Sequence, residues 1–104
     1  MDIKNIQNQL SDFADERAWN QFHNPKNLAM ALSVEASELV EIFQWLTPEQ
    51  SESIMESSEN EHVKEEVADI MIYLIRMADK LNINLDKAVS DKIIKNSKKH
   101  PKTD

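Results

Sequence analysis

The chain of 104 residues contains no glycine and no cysteine. Without glycine there is no P-loop and no dinucleotide-binding fingerprint, because both place glycine where the backbone approaches phosphate. A nucleotide would have to be held by side chains and metal. Without cysteine there are no disulfides and no thiolate zinc site. That agrees with a reducing compartment, and a cytoplasmic protein is expected. Aromatics are scarce: two Trp, one Tyr and three Phe. Bases are outnumbered, 12 Lys and Arg against 19 Asp and Glu, for a formal net charge of −7. Phosphate backbones call for basic surfaces, so nucleic acid is not an expected partner. No apolar run reaches transmembrane length. The opening Met1-Asp2-Ile3-Lys4-Asn5 has no basic segment leading into an apolar one, so neither a signal peptide nor a membrane partner is expected.

What is present is helical periodicity throughout, with no clean period-2 strand and no internal repeat. The length suits one domain over residues 1–104, with enough apolar residues, 40%, for a core. A first helix is predicted from Asp2 to about Trp19, with Ile3, Ile6, Leu10, Phe13 and Ala14 on one face. Residues 20–24 form a connector. Asn24-Pro25 reads as an N-cap followed by proline at the first helical position, starting a second helix that runs to Trp45. Thr47-Pro48 repeats that signal for a short piece to about Glu56. A long helix from about Glu59 to Leu81 is apolar nearly all round after Val67, as a helix buried on several sides would be. Asn82 or Asn84 ends it, and a last helix spans about Leu85 to Ser97. With no glycine, asparagine is expected to take the left-handed cap positions. The predicted architecture is an all-α bundle of four main helices.

Two of these helices carry acids inside apolar surroundings. Glu35, Glu38 and Glu41 interrupt Leu32, Val34, Leu39, Val40, Ile42 and Phe43. Glu66 and Asp69 interrupt the run that ends at Ile75. At i, i+3 spacing the acids of each pair share a face. An isolated acidic pair on a helix is usually a solvated face. Here the neighbours are apolar, and a buried carboxylate needs a partner that nearby cations do not supply. A divalent metal would serve them all, and oxygen-only ligands favour Mg²⁺ or Mn²⁺ over zinc. A di-iron bundle needs Glu-x-x-His on two helices, and only Glu59 and His62 have that spacing.

For any one aromatic, core packing is the commoner role. Trp19 and Phe22, however, sit in a connector beside His23, and Tyr73 lies one helical turn beyond Asp69. A planar ligand stacked near a metal fits that placement. Lys92, Asn96 and Lys99 share a face of the last helix. They either complement the helix dipole or contact phosphate.

The stretches from Leu32 to Trp45 and from Glu65 to Leu74 resemble the MazG-like nucleotide pyrophosphohydrolases. The likeness is to the small all-α branch that includes dCTP pyrophosphatases and integron-associated MazG proteins. It extends through Arg17 to Asn27 and to the terminal Lys92, Asn96, Lys99 and Pro101. The resemblance implies Mg²⁺ ligands at Glu35, Glu38, Glu66 and Asp69. It places base- and sugar-binding residues at Trp19, Asn20, Gln21, Phe22, His23, Trp45 and Tyr73. It implies cleavage of a nucleoside triphosphate between the α and β phosphates, with Glu38 or Glu41 as the general base, by a dimer or tetramer. Leu10 stands where the dCTP-specific relatives look to have a histidine, which leaves the preferred base open. Two other classes stay open at this level. One is a bundle that binds metal and nucleotide without turnover, and the other is a structural helical module with solvated acids.

Overall fold

A computed structural model describes residues 1–103. The element order is α1 (Ile3–Glu16), α2 (Pro25–Phe43), α3 (Pro48–Glu52), a 3₁₀ turn (Ile54–Glu56), α4 (Asn60–Lys80) and α5 (Leu85–Lys99). The all-α expectation holds, and there is no strand among the described residues.

Four of the five α-helices start at a residue whose side chain accepts an otherwise unpaired backbone N–H. Asp2 accepts from Asn5 at 3.0 Å, Asn24 from Asn27 at 2.9 Å, and Asn84 from Lys87 at 3.1 Å. Thr47 and Gln50 form a reciprocal capping box, with Pro48 at the first helical position. The start of α4 has no such cap.

The first helix ends at Glu16 rather than Trp19. Ala18 adopts a left-handed conformation, φ 56°, and the Trp19 N–H donates back to the Ala14 carbonyl at 2.9 Å. This closes the helix and turns the connector over it. An alanine here bears the steric cost that glycine would avoid. At the other junction Asn82 takes the left-handed position, φ 54°, and Asn84 caps α5, so both asparagines act. The second helix closes at Phe43, and the piece expected from Pro48 to Glu56 divides into α3 and the 3₁₀ turn.

Helix α4 is the centre of the fold, with α2 packed along it and α1 against it. Ala14, Leu28, Ile54, Val63, Ile75 and Ala78 form the buried apolar core. Gln7 of α1 donates to the Ile75 carbonyl at 3.4 Å inside that layer. The fourth main helix, α5, stands off from the other three, and every residue after Leu85 along it is exposed. The radius of gyration is 16.8 Å, against about 13 Å for a compact chain of this length. The expectation that α4 is covered on several sides is met on two sides only within one chain. Val67, Met71, Ile72 and Leu74 are all exposed, as are Val89, Ile93 and Ile94 of α5. No helix among the described residues is long and apolar enough to cross a membrane.

Candidate active site

The packing of α2 on α4 brings the two acid ladders together. Carboxylate oxygens of Glu35, Glu38 and Glu66 lie within 4.8 Å of one another. Glu66 is buried, and Glu35 and Glu38 are half-buried. Glu35 Oε2 and Glu66 Oε2 are both buried with no hydrogen-bond partner. Three like charges at this distance repel strongly. The repulsion raises the affinity of the cluster for a proton. The Glu35 carboxyl is pushed up to about 7, first by hydrogen bonding to Glu66, then by burial, then by Glu38. His62 is the basic side chain in reach, 3.7 Å from Glu66 Oε1, but its other nitrogen is bound to Glu59 at 2.9 Å. Glu59 is the first cause of the raised His62 pKa.

This donor set fits a hard divalent cation. It is all oxygen, it carries excess negative charge, and its buried oxygens have no other partner. Asp69 lies one turn beyond Glu66 on α4 and lines the same cavity as Glu35, outside the tightest group. Glu41 is exposed and is not gathered with the others.

A cavity of about 460 Å³ opens beside the acids, within the usual size of a small-ligand site. Its walls alternate in character. Glu35 and Asp69 supply carboxylates, and Trp19, Tyr73 and Phe13 supply aromatic surface. Trp19 packs edge-on against Phe13 at 5.4 Å between ring centres and tilts over His23 at 6.0 Å. Burial, then Glu35 and Asp69, raise the pKa of the Tyr73 phenol, which therefore stays protonated as a hydrogen-bond donor.

Of the connector residues, Trp19 and His23 line the cavity. Asn20 is fixed at its edge by Arg76 and Asp15. Gln21 donates to the Ala18 carbonyl at 3.1 Å and stiffens the turn, while Phe22 is exposed outside the cavity. Trp45, 86% exposed past the end of α2, does not reach the cavity within one chain. Lys92, Asn96 and Lys99 are exposed on the detached α5 and do not reach it either.

Sequence reasoning passed over Arg76. It is 4% exposed and lines the cavity. Its signal was visible: a cation directly after the run Ile70 to Ile75, three residues beyond Tyr73 and seven beyond Asp69. Glu66, Asp69, Tyr73 and Arg76 thus form one stripe along α4.

The chain combines an all-helical fold with a carboxylate cluster shared between two helices, and it belongs to the MazG-like family. The family model matches residues 30–104. Dissected further, dCTP pyrophosphatase 1 of Rattus norvegicus is 36% identical over 95% of this chain and 59% of its own length. The Homo sapiens protein of the same name is 37% identical with the same coverage. The chain therefore spans 59% of the length of these curated relatives. A pyrophosphatase from Archaeoglobus fulgidus, known from a crystal structure, superposes with a TM-score of 0.89 at 40% identity. That match covers 98% of this chain and 94% of the archaeal one.

Proposed function

We propose that residues 1–104 form a single catalytic domain that hydrolyses a (deoxy)nucleoside triphosphate between its α and β phosphates, giving the monophosphate and pyrophosphate. The reading is carried by one observation: the unpartnered buried oxygens of Glu35 and Glu66 lie beside an aromatic cavity. The relatives named dCTP pyrophosphatase and the archaeal pyrophosphatase support it. The proposed substrate is dCTP or a related or modified deoxynucleotide, and the proposed role is housecleaning of the nucleotide pool.

Glu35, Glu38, Glu66 and Asp69 would hold Mg²⁺, with Mn²⁺ as the alternative ion. When bound, the ion offsets the charge of the triphosphate and polarises the phosphoryl group under attack. Glu38 is the favoured base for the attacking water. It is half-buried in the cluster and lies outside the two-oxygen orphan pair. Glu41, exposed one turn further on, is the weaker candidate. The aromatic end takes the base, with Trp19 and Tyr73 packing on it and His23 and Asn20 as its polar edge. Trp45, Lys92, Asn96 and Lys99 join such a site only if a second copy brings them to it. The proposed active form is accordingly a dimer or tetramer.

The test is pyrophosphate release from a panel of canonical and modified deoxynucleoside triphosphates, with Mg²⁺ and with a chelator. Release that requires the ion and yields the monophosphate supports the proposal. Nucleotide binding without release would make the chain a binding module instead.

A further inference from the structure

We infer that Arg76 is a positioning residue of the cavity: its guanidinium holds His23 as the neutral Nε2–H tautomer, so that His23 offers a fixed donor to the substrate base and favours bases with a ring carbonyl over adenine. The base preference rests on the nucleotide reading above, whereas the tautomer does not.

A guanidinium has donors and no acceptor. Arg76 Nε donates to His23 Nδ1 at 3.4 Å. Nδ1 must therefore carry a lone pair, and the ring proton of a neutral imidazole must sit on Nε2. Burial, then Arg76, then Lys80 hold the His23 pKa below its ordinary value, which keeps the ring neutral at pH 7. On the other side of the guanidinium, Nη2 donates to Asn20 Oδ1 at 2.7 Å. Nη1 lies 3.9 Å from Asp79 Oδ2 on the same helix. One side chain of α4 thus fastens two points of the connector that carries Trp19 and His23.

A buried arginine is an expensive way to join two elements. An apolar side chain of similar size would often stabilise the fold as well or better. What the guanidinium adds is direction. It spends its Nε–H on His23 Nδ1 and so turns the second ring nitrogen into a donor of known position. His23 lines the cavity, and its Nε2 has no hydrogen bond to a described residue. Leu10, Phe13 and Ile72 line the same cavity and offer no polar group. A fixed donor beside apolar side chains asks for an acceptor on the ligand, and a substrate lacking it leaves the donor unpaired. Cytosine, thymine, uracil and guanine each carry a ring carbonyl, and adenine carries none.

The experiment has two arms on the full chain. The first is nitrogen-15 NMR of labelled histidine near neutral pH, which distinguishes a protonated from an unprotonated ring nitrogen. The expected result for His23 is protonation at Nε2 alone. Protonation at Nδ1, or at both nitrogens, overturns the inference even if no variant folds. The second arm compares wild type, Arg76→Met and Arg76→Lys in turnover of dCTP, dTTP and dATP. Arg76→Met should raise KM for dCTP and dTTP about tenfold more than for dATP, with a smaller change in kcat. The methionine variant should also lose the single-tautomer signature. Arg76→Lys keeps the charge but not the fork, and should not restore the base preference. A folded Arg76→Met protein with an unchanged dCTP to dATP ratio overturns the assignment. If wild type cleaves no triphosphate at all, the nucleotide reading and the base preference fall together, and the NMR arm alone decides the tautomer.

Discussion

Glu35 on α2 and Glu66 on α4 each bury a carboxylate oxygen that no described group satisfies. The pair lies across the helix–helix seam that builds the fold, so the same contact that organises the chain also concentrates its negative charge. Burying charge without a partner is costly, and a protein keeps such a pair where something else binds it.

That strain has a pH signature. The folded pKa of Glu35 is about 7 against an ordinary value of 4.5. A raised folded pKa means that the folded state binds the proton more tightly than the unfolded chain. The contribution of Glu35 to stability is therefore fully present below about pH 4.5 and is lost as pH rises through about 7. Without divalent ions, the Tm of wild type should carry a downward component across that window, and Glu35→Gln should flatten it. Mg²⁺ should bind more tightly as the same proton leaves. Equal slopes for wild type and Glu35→Gln would place the shifted proton elsewhere.

Asp69→Asn should abolish pyrophosphate release while leaving the protein folded. The amide keeps the shape of the side chain and removes one charge from the cavity that Glu35 also lines. In wild type, Mg²⁺ should raise Tm; a ligand at a hundredfold its Kd adds about 2.7 kcal/mol. In Asp69→Asn that rise should shrink. Melting curves with and without Mg²⁺, beside a pyrophosphate assay, measure both effects. Full activity with the full Mg²⁺ response would remove Asp69 from the site.

The uncovered apolar faces predict self-association. Met71, Val67 and Ile72 border an apolar groove of about 540 Å³ between α1 and α4, and α5 presents Val89, Ile93 and Ile94 to solvent. Exposed patches of this kind mark interfaces. Light scattering at micromolar concentration should give a multiple of 12.0 kDa, and Met71→Asp or Ile93→Asp should lower it. A monomer in wild type would contradict the prediction. It would also leave Lys92, Asn96 and Lys99 without a role in the site.

Ala18→Gly should stabilise the protein. Ala18 is exposed and holds φ 56°, where a Cβ costs about 1–2 kcal/mol. Glycine removes that cost but loses some through the freer unfolded chain. The net gain should be about 0.5–1 kcal/mol, seen as a rise in Tm or in the denaturation midpoint. A fall would mean that the Ala18 methyl supports the connector.

The sequence made the helix starts legible because they are local. Asn24-Pro25 and Thr47-Pro48 state their own cap and first turn. The carboxylate group was legible because i, i+3 spacing fixes a face before any packing is known, and apolar neighbours bury it. Ala18 was not legible, since the left-handed position is imposed by the Trp19 to Ala14 closure and alanine gives no hint of it. The contacts of Arg76 were hidden for a related reason. Its partners Asn20 and His23 lie 56 and 53 residues away in sequence and become neighbours only when α4 packs under the connector. The detachment of α5 was equally invisible, because its amphipathic pattern reads alike whether the apolar face meets its own chain or another.

The stripe Glu66, Asp69, Tyr73 and Arg76 makes α4 a measuring rod. From the first of these residues to the last the helix rises about 15 Å, with an acid end, an aromatic middle and a cationic end in fixed register. Evolution can exchange residues on this rod but cannot easily change its length. One residue inserted between Asp69 and Tyr73 turns everything beyond it by about 100° and parts the acid end from the aromatic end. Variation in what the site accepts is thereby confined to substitutions at these marks and to the connector, while the spacing from acids to aromatic surface stays constant.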